Sequence, residues 1–276
     1  MKILILDGYN LIYRAKHSGF GQKRDKNDES DRSIVFSFTR AVRSLVNQHT
    51  PDKLYLVLEG RPTARLNLAE DYKANRVYEK DAGFKVQRKL IKNLISMWPG
   101  MHVVRHPEHE CDDLADTLAK RYAVEDNHIV IVSSDTDFCQ SISDNVRVFN
   151  PVKKQFIKPP VAPEKYVLWK ALRGDPGDNI EGFQGIGNVR AQKLIENQTL
   201  LNSFLQTEGA QEKLEHNKKM IAFESVDISS CENAFTINDN ESISKFRSKL
   251  HEFGFFSITS DKAWKTFIEP ITKVEN

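Results

Sequence analysis

Four apolar runs punctuate the first half of the chain: KILIL (2–6), KLYLVLE (53–59), MHVVR (101–105) and HIVIVSS (128–134). Each is rich in Val, Ile or Leu between polar edges. Unbroken runs of this kind suit strands covered on both faces, so they predict buried strands of a largely parallel sheet. Between them, helical patterns fall at about 31–49, 84–97 and 111–123, the last opening after an acidic stretch that suits a helix N-terminus. This is the βαβ rhythm of an α/β fold, a central mostly parallel sheet flanked by helices. After VFNPVKKQFIKPPVAPEKY the strand rhythm stops and the rest is mainly helical, which places a boundary near 160 and divides the chain into 1–160 and 161–276. Residues 18–31, SGFGQKRDKNDESD, are polar and glycine-bearing and read as a mobile loop.

Charge and cysteine content narrow the classes. At 276 residues the chain is long enough to bury a substantial core. Its 40 Lys+Arg nearly balance 38 Asp+Glu, so it is not a uniformly basic polyanion binder, and any nucleic-acid reading rests on where the charges sit. Three cysteines, Cys111, Cys139 and Cys231, form no CxxC pair and suit a reducing compartment. The first apolar run reaches Asp7 too soon for a signal peptide, and no segment approaches the roughly 18 apolar residues of a membrane span. The expectation is a soluble cytoplasmic protein with no membrane partner.

The carboxylates recur at the ends of the predicted strands. Asp7 closes the first, Glu59 the second, Glu110, Asp112 and Asp113 follow the third, and Asp135 and Asp137 follow the fourth. Parallel strands bring their C-terminal ends to one edge, where ligands bind. Acids gathered there repel one another unless a cation lies between them, and an all-oxygen donor set favours Mg²⁺ or Mn²⁺ over zinc. A single Asp after a strand is more often a helix N-cap than a ligand, but EHECDD and SSDTD are denser in acid than capping requires. His106 and His109 read as loop or surface residues, and Cys111 and Cys139 as core or helix-face residues.

Two further segments bear on chemistry. In GDPGDNIEGFQGIGNVRAQKLIE (174–196), Asp175 and Asp178 could complete a second cation site. The glycines Gly182, Gly185 and Gly187 match neither a dinucleotide fingerprint nor a P-loop. They read as a hairpin between short helices whose backbone N–H groups can approach a phosphate, with Arg190 and Lys193 just beyond. From 61 to 105 there are ten basic residues against four acids, interleaved with Tyr72 and Tyr78, whose rings could stack on bases. Most of those cations read as a solvated face; Lys73 and Arg76 of DYKANR are singled out.

ILDGYN with Arg14 seven residues after Asp7, the LEGRP turn, DYKANR, EHECDDLA, SSDTDF and GDPGDNIEGFQGIGNVRA together resemble, in order and approximate spacing, the 5'-nuclease superfamily. The similarity spans about 1–200 and points to its bacteriophage and bacterial branch: flap endonucleases, 5'-3' exonucleases and the 5'-nuclease domain of bacterial DNA polymerase I. It implies a PIN-like nuclease core (1–160) with a helical arch at about 61–100. It also implies a helical DNA-binding subdomain (161–276) with a helix–three-turn–helix at about 174–197, which often binds K⁺. By the same resemblance Asp7, Glu59, Glu110, Asp112 and Asp135 belong to one metal cluster, and Asp137, Asp175 and Asp178 extend it to a second. Asp113 matches an acid of indirect role. Lys73 and Arg76 match contacts to the scissile phosphate, Tyr72 a stacking residue, Arg14 a basic residue near the 5' end, and Gly182, Gly185 and Gly187 the hairpin.

Glu59 departs from the usual Asp and Cys111 from the usual small Ala, while the second-site acids are all kept. The implied reaction is hydrolysis of a phosphodiester near the 5' end of DNA with a flap, a nick or a free end, and of RNA–DNA hybrids such as primers. Two Mg²⁺ ions, or Mn²⁺ in their place, would activate water on one side and stabilise the leaving oxygen on the other. Replication proteins are implied partners, a monomer the implied state, and the host cytoplasm the location for a phage-encoded chain. A PIN-like ribonuclease and a non-catalytic binder of branched DNA are the alternatives.

Overall fold

The computed structural model describes residues 1–19, 25–76, 80–124 and 126–276. Its main sheet has seven strands in the order β6 (Gln155–Phe156), β5 (Val146–Asn150), β4 (His128–Val132), β1 (Lys2–Asp7), β2 (Lys53–Leu58), β3 (Met101–Arg105) and β9 (Glu232–Phe235). The central four are β1, β2, β3 and β4. They are the runs expected to form strands, all parallel, with β1 between β2 and β4. The chain steps outward from β1 through β2 to β3 and then returns to the other side for β4. A crevice therefore opens between the C-terminal ends of β1 and β4, where such sheets bind ligands.

Alternate residues of β1 serve two cores. Leu4 and Leu6 face a cluster with α1 (Gly8–Lys16), α2 (Ser33–His49) and α4 (Ala82–Ile95), whereas Ile3 and Ile5 face a second cluster with α5 (Cys111–Tyr122). Between β2 and α4 lies the short helix α3 (Thr63–Leu68), followed by turns through residue 75. The second half of the expected arch is thus largely core, because α4 turns Phe84, Ile91, Leu94 and Ile95 inward. Of the loop expected over 18–31, residues 20–24 lie outside the described residues, as does Tyr78.

Three strands escaped the hydrophobic pattern. β5 (Val146–Asn150) pairs parallel to β4, and β6 (Gln155–Phe156) is its two-residue antiparallel edge. β9 (Glu232–Phe235) pairs antiparallel to β3 with three of its four residues exposed, so it carries no apolar run to read.

Beyond residue 160 the chain divides. Helices α6 (Pro163–Arg173), α7 (Asn188–Glu196), α8 (Gln198–Leu205) and α9 (Ala210–Ile221) build a third core around Tyr166, Trp169, Leu194 and Leu214. Between α6 and α7 lies the two-stranded ribbon of β7 (Gly174–Asp175) and β8 (Ile180–Glu181). The last segment, with α10 (Asn240–Glu252), α11 (Phe256–Thr259) and α12 (Asp261–Ile268), returns to the first core. There Phe246, Leu250, Trp264, Phe267 and Ile271 join the cluster beneath the sheet. Residues 161–276 therefore do not pack as one appended unit. Among the described residues no helix is long and apolar enough to cross a membrane.

Candidate metal centre

Asp7 ends β1 and caps α1, its Oδ1 accepting from the Asn10 amide at 2.9 Å while Oδ2 accepts from Ser133 Oγ at 2.8 Å. One side chain thus both caps a helix and joins the group of strand-end acids. Glu110 caps α5 in a reciprocal box with Asp113. Asp112, in the first turn of α5, accepts no hydrogen bond from any described residue. Its carboxyl is held well above the usual range by burial, then by the negative charge of Asp135, Asp7 and Glu59. Burial also raises Asp7, and burial followed by Glu110 pushes Glu59 up to about 7. Glu59 Oε2 accepts from the Cys111 amide at 3.2 Å, so the longer side chain still reaches the cluster. Asp135 follows β4 and meets no cation among the described residues; its Oδ1 accepts from the Asp137 amide at 2.9 Å.

Asp137, Asp175 and Asp178 form a neighbouring group whose oxygens lie within 4.8 Å of one another. Asp175 stands on β7 and Asp178 in the turn before β8, so the ribbon carries both. Cations of the chain already compensate these acids. Lys170 of α6, 3% exposed, contacts Asp137 and lies 2.6 Å from Asp175 Oδ2. Burial and the charge of Asp135 still push Asp137 up to about 6. Asp175 falls below the ordinary value although burial raises it, because Lys170 bonds its charged form.

The segment after α3 covers the site. Lys73, at φ +58°, contacts Glu110 Oε1 and stands 3.7 Å from Asp178, and Arg76 donates to Asp178 Oδ1 at 2.6 Å. Both residues singled out in DYKANR therefore reach the acids. Tyr72 is placed otherwise than a stacking residue requires. Its ring is 6% exposed, and its hydroxyl donates to Glu110 at 3.0 Å and Asp178 at 3.3 Å, so in this structure it offers no face to a base.

Two residues of the centre were missed by sequence reasoning. Arg65, from α3, donates to Glu110 at 2.8 Å and to both oxygens of Asp113 at 2.7 Å, and also to the carbonyls of Met220 and Ala222 at 3.0 Å. Asp113, grouped with the strand-end acids in the sequence, is thus bound to an internal cation. The excess acid of EHECDD was a signal that such a cation existed, but not where. Lys170 had a signal too, a lone charge inside the apolar run YVLWKAL. His109 Nδ1 faces Glu224 Oε2 at 3.1 Å, but Asp113, the third member of that cluster, is engaged by Arg65.

The glycine-rich turn lies at the other end of the ribbon. At Gly182 a Cβ would strike the Arg173 carbonyl oxygen at 2.2 Å, and Gly185 has φ +72°, so both positions require glycine. Gly187, open to solvent, leads into α7, where Arg190 and Lys193 are exposed. Arg14 lies apart from the acids, half-buried in a cavity of about 510 Å³ with Asn10, His17, Ser37 and Ser134, and meets no acid among the described residues.

A family model described as "5'-3' exonuclease, N-terminal resolvase-like domain" matches residues 2–167. The chain belongs to this family of 5' nucleases. DNA polymerase I of Thermus thermophilus is 30% identical to this member of the family over 212 residues, 74% of the chain and 25% of the polymerase. That of Treponema pallidum is 33% identical over 208 residues, 70% of the chain and 20% of the polymerase. The chain thus spans a quarter or less of the length of these curated relatives. Among solved structures, the bacteriophage T5 5'-exonuclease with bound divalent metal ions (zinc) superposes with a TM-score of 0.60 over 99% of both chains at 19% identity. The catalytic core of Rad2 in complex with DNA substrate gives 0.61 over 98% of this chain and 91% of that one, at 14% identity. At those identities the likeness establishes the fold, a mostly parallel sheet flanked by helices.

The residues present fit a hard divalent ion. Asp7 is buried, Asp112 partly buried and Asp135 exposed, and among the described residues none of the three is paired with a cation and no side chain or amide donates to Asp112. The second group contrasts with the first, since Lys170, Lys73 and Arg76 already stand among its oxygens.

Proposed function

We propose that the chain is a structure-selective 5' nuclease, a 5'-3' exonuclease and flap endonuclease that hydrolyses phosphodiesters near the 5' end of flapped or nicked DNA. The observation that carries this reading is the gathering of Asp7, Glu59, Glu110, Asp112 and Asp135 close enough to raise one another's carboxyls, with Asp137, Asp175 and Asp178 as a neighbouring group and Lys73 and Arg76 bonded to acids of the two. The family and the DNA and divalent ions named for its structural neighbours support it.

Asp7, Glu59, Glu110, Asp112 and Asp135 would hold one Mg²⁺, with Mn²⁺ a substitute, and Asp137, Asp175 and Asp178 would share in holding a second. When bound, such ions supply Lewis acidity and lower the pKa of water at neutral pH. The side chains do the rest. Lys73 and Arg76 exchange their carboxylate partners for the scissile phosphate and add positive charge where negative charge develops. Lys170 balances Asp137 and Asp175 while no second ion is present. The backbone N–H groups around Gly185 and Gly187, with Arg190 and Lys193, grip the phosphates of the duplex, and K⁺ would bind at this turn. Arg14 receives a phosphate nearer the 5' end.

Processing of RNA primers, work alongside replication proteins and a monomeric, cytoplasmic state follow from the same reading. The test is magnesium-dependent digestion of a 5'-labelled flap beside blunt duplex, RNA-primed duplex and single-stranded RNA. The flap should be cut by the native chain and not by Asp135→Ala, which should still bind it. Cleavage confined to single-stranded RNA would favour a PIN-like ribonuclease, and binding without any product a non-catalytic binder.

A further inference from the structure

Cys111 opens α5 in the midst of the acids, and its place there goes beyond core packing. Its amide donates to Glu59, and its Sγ lies 3.5 Å from Asp7 Oδ1. Sγ and one carboxylate oxygen from each of Asp7 and Asp112 all lie within 4.8 Å of one another. A tetrahedral ion bonded to sulfur at about 2.3 Å and to carboxylate oxygen at about 2.0 Å holds those two donors roughly 3.5 Å apart. The observed sulfur–oxygen separation is that bite, and Asp112, which accepts no hydrogen bond among the described residues, supplies a free third donor. Magnesium has no use for sulfur, whereas zinc and cadmium prefer it.

We propose that Cys111 makes this centre a capture site for thiophilic divalent cations, held by Asp7, Asp112 and the Cys111 sulfur in place of the hard ion, so that zinc or cadmium inhibits the enzyme. The inference rests on the metal-centre reading above. In the capture step the S–H bond breaks, a metal–sulfur bond forms and the proton passes to the buffer, with no change of oxidation state.

The experiment titrates the metal-free full chain with Cd²⁺ and follows thiolate-to-cadmium charge-transfer absorption. The native chain, Cys231→Ala and Cys139→Ala should each develop the band at one equivalent, and Cys111→Ala and Cys111→Ser should not. The Cd²⁺ concentration that halves each protein's own Mg²⁺-dependent cleavage should rise at least about tenfold in the Cys111 variants. A band that persists in the Cys111 variants, or cadmium bound by the native chain without a band, overturns the proposal. Should Cys111→Ala misfold, the serine variant decides, because it keeps a small polar side chain but no sulfur. Binding of Mn²⁺ to the native chain, measured in parallel, separates the two readings. Manganese bound but no cadmium band ends only this inference, whereas failure to bind manganese or cut with magnesium ends the nuclease reading.

Discussion

Replacing Arg65 by methionine removes a buried cation while keeping most of its stem. The guanidinium side chain is 5% exposed and its two acid partners, Glu110 and Asp113, 4% and 0%. It makes three bonds to those carboxylates and two to the carbonyls of Met220 and Ala222. Swapping a whole buried ion pair for apolar groups is often neutral, but removing one partner strands the other's charge and costs about 3–5 kcal/mol. Glu110 keeps Lys73 and Tyr72, whereas among the described residues Asp113 keeps only backbone donors, so the loss falls chiefly on Asp113. At about 2–4 °C per kcal/mol for a domain of this size, the melting temperature should fall by roughly 6–20 °C. Calorimetry at neutral pH on the native chain, Arg65→Met and Arg65→Lys checks it. Lysine should fall between, since one ammonium cannot span both carboxylates and two carbonyls. Arg65→Met melting within about 2 °C of the native chain would refute the reasoning.

Lys170→Met should destabilise the metal-free protein by about 3 kcal/mol, because Asp137 and Asp175 lose their shared partner, and added Mg²⁺ should restore more stability to the variant than to the native chain. Equal melting temperatures without metal would count against this. Glu59 titrates near 7 in the folded chain against an ordinary 4.5, so the folded state holds a proton that the unfolded state has released. That contribution is full below pH 4.5 and is lost as pH rises through about 7, so the metal-free melting temperature should decline across this window, with Asp137 adding to the decline. Saturating Mg²⁺ should flatten the decline; a metal-free profile that rises over the same range would contradict the assignment. Gly60→Ala places a Cβ 1.9 Å from the His106 carbonyl oxygen and should cost about 1–3 kcal/mol or more, measured by chemical denaturation. Gly187→Ala meets nothing within 4 Å and should leave stability intact while weakening flap binding, read by fluorescence anisotropy.

The four central strands and the acids at their ends were legible because a strand buried on both faces must be continuously apolar and can turn polar only where it leaves the sheet. Asp7, Glu59, Glu110, Asp112, Asp113, Asp135 and Asp137 could therefore be placed at one rim before any coordinates, as parallel pairing requires, whereas the choice of five of them as one cluster came from the family resemblance. Lys73 and Arg76 stood out through local charge. β9 was hidden because an exposed edge strand needs backbone partners rather than apolar side chains, and the return of Phe246, Trp264 and Phe267 to the first core joins residues far apart in the sequence.

The order of residues therefore determined which groups could meet and what chemistry they could share. Tertiary structure decided how each charge is balanced. Lys170 and Arg65 are two cations among 40, and only the packing of α6 and α3 carries them out of water and against carboxylates whose own burial demands them. The same packing left Asp7, Asp112 and Asp135 without such a partner among the described residues and set the Cys111 sulfur beside Asp7 and Asp112. Sequence periodicity records which face of an element is apolar; it holds no record of distances between charges on different elements, and those distances separate a compensated pair from a site that draws in a cation.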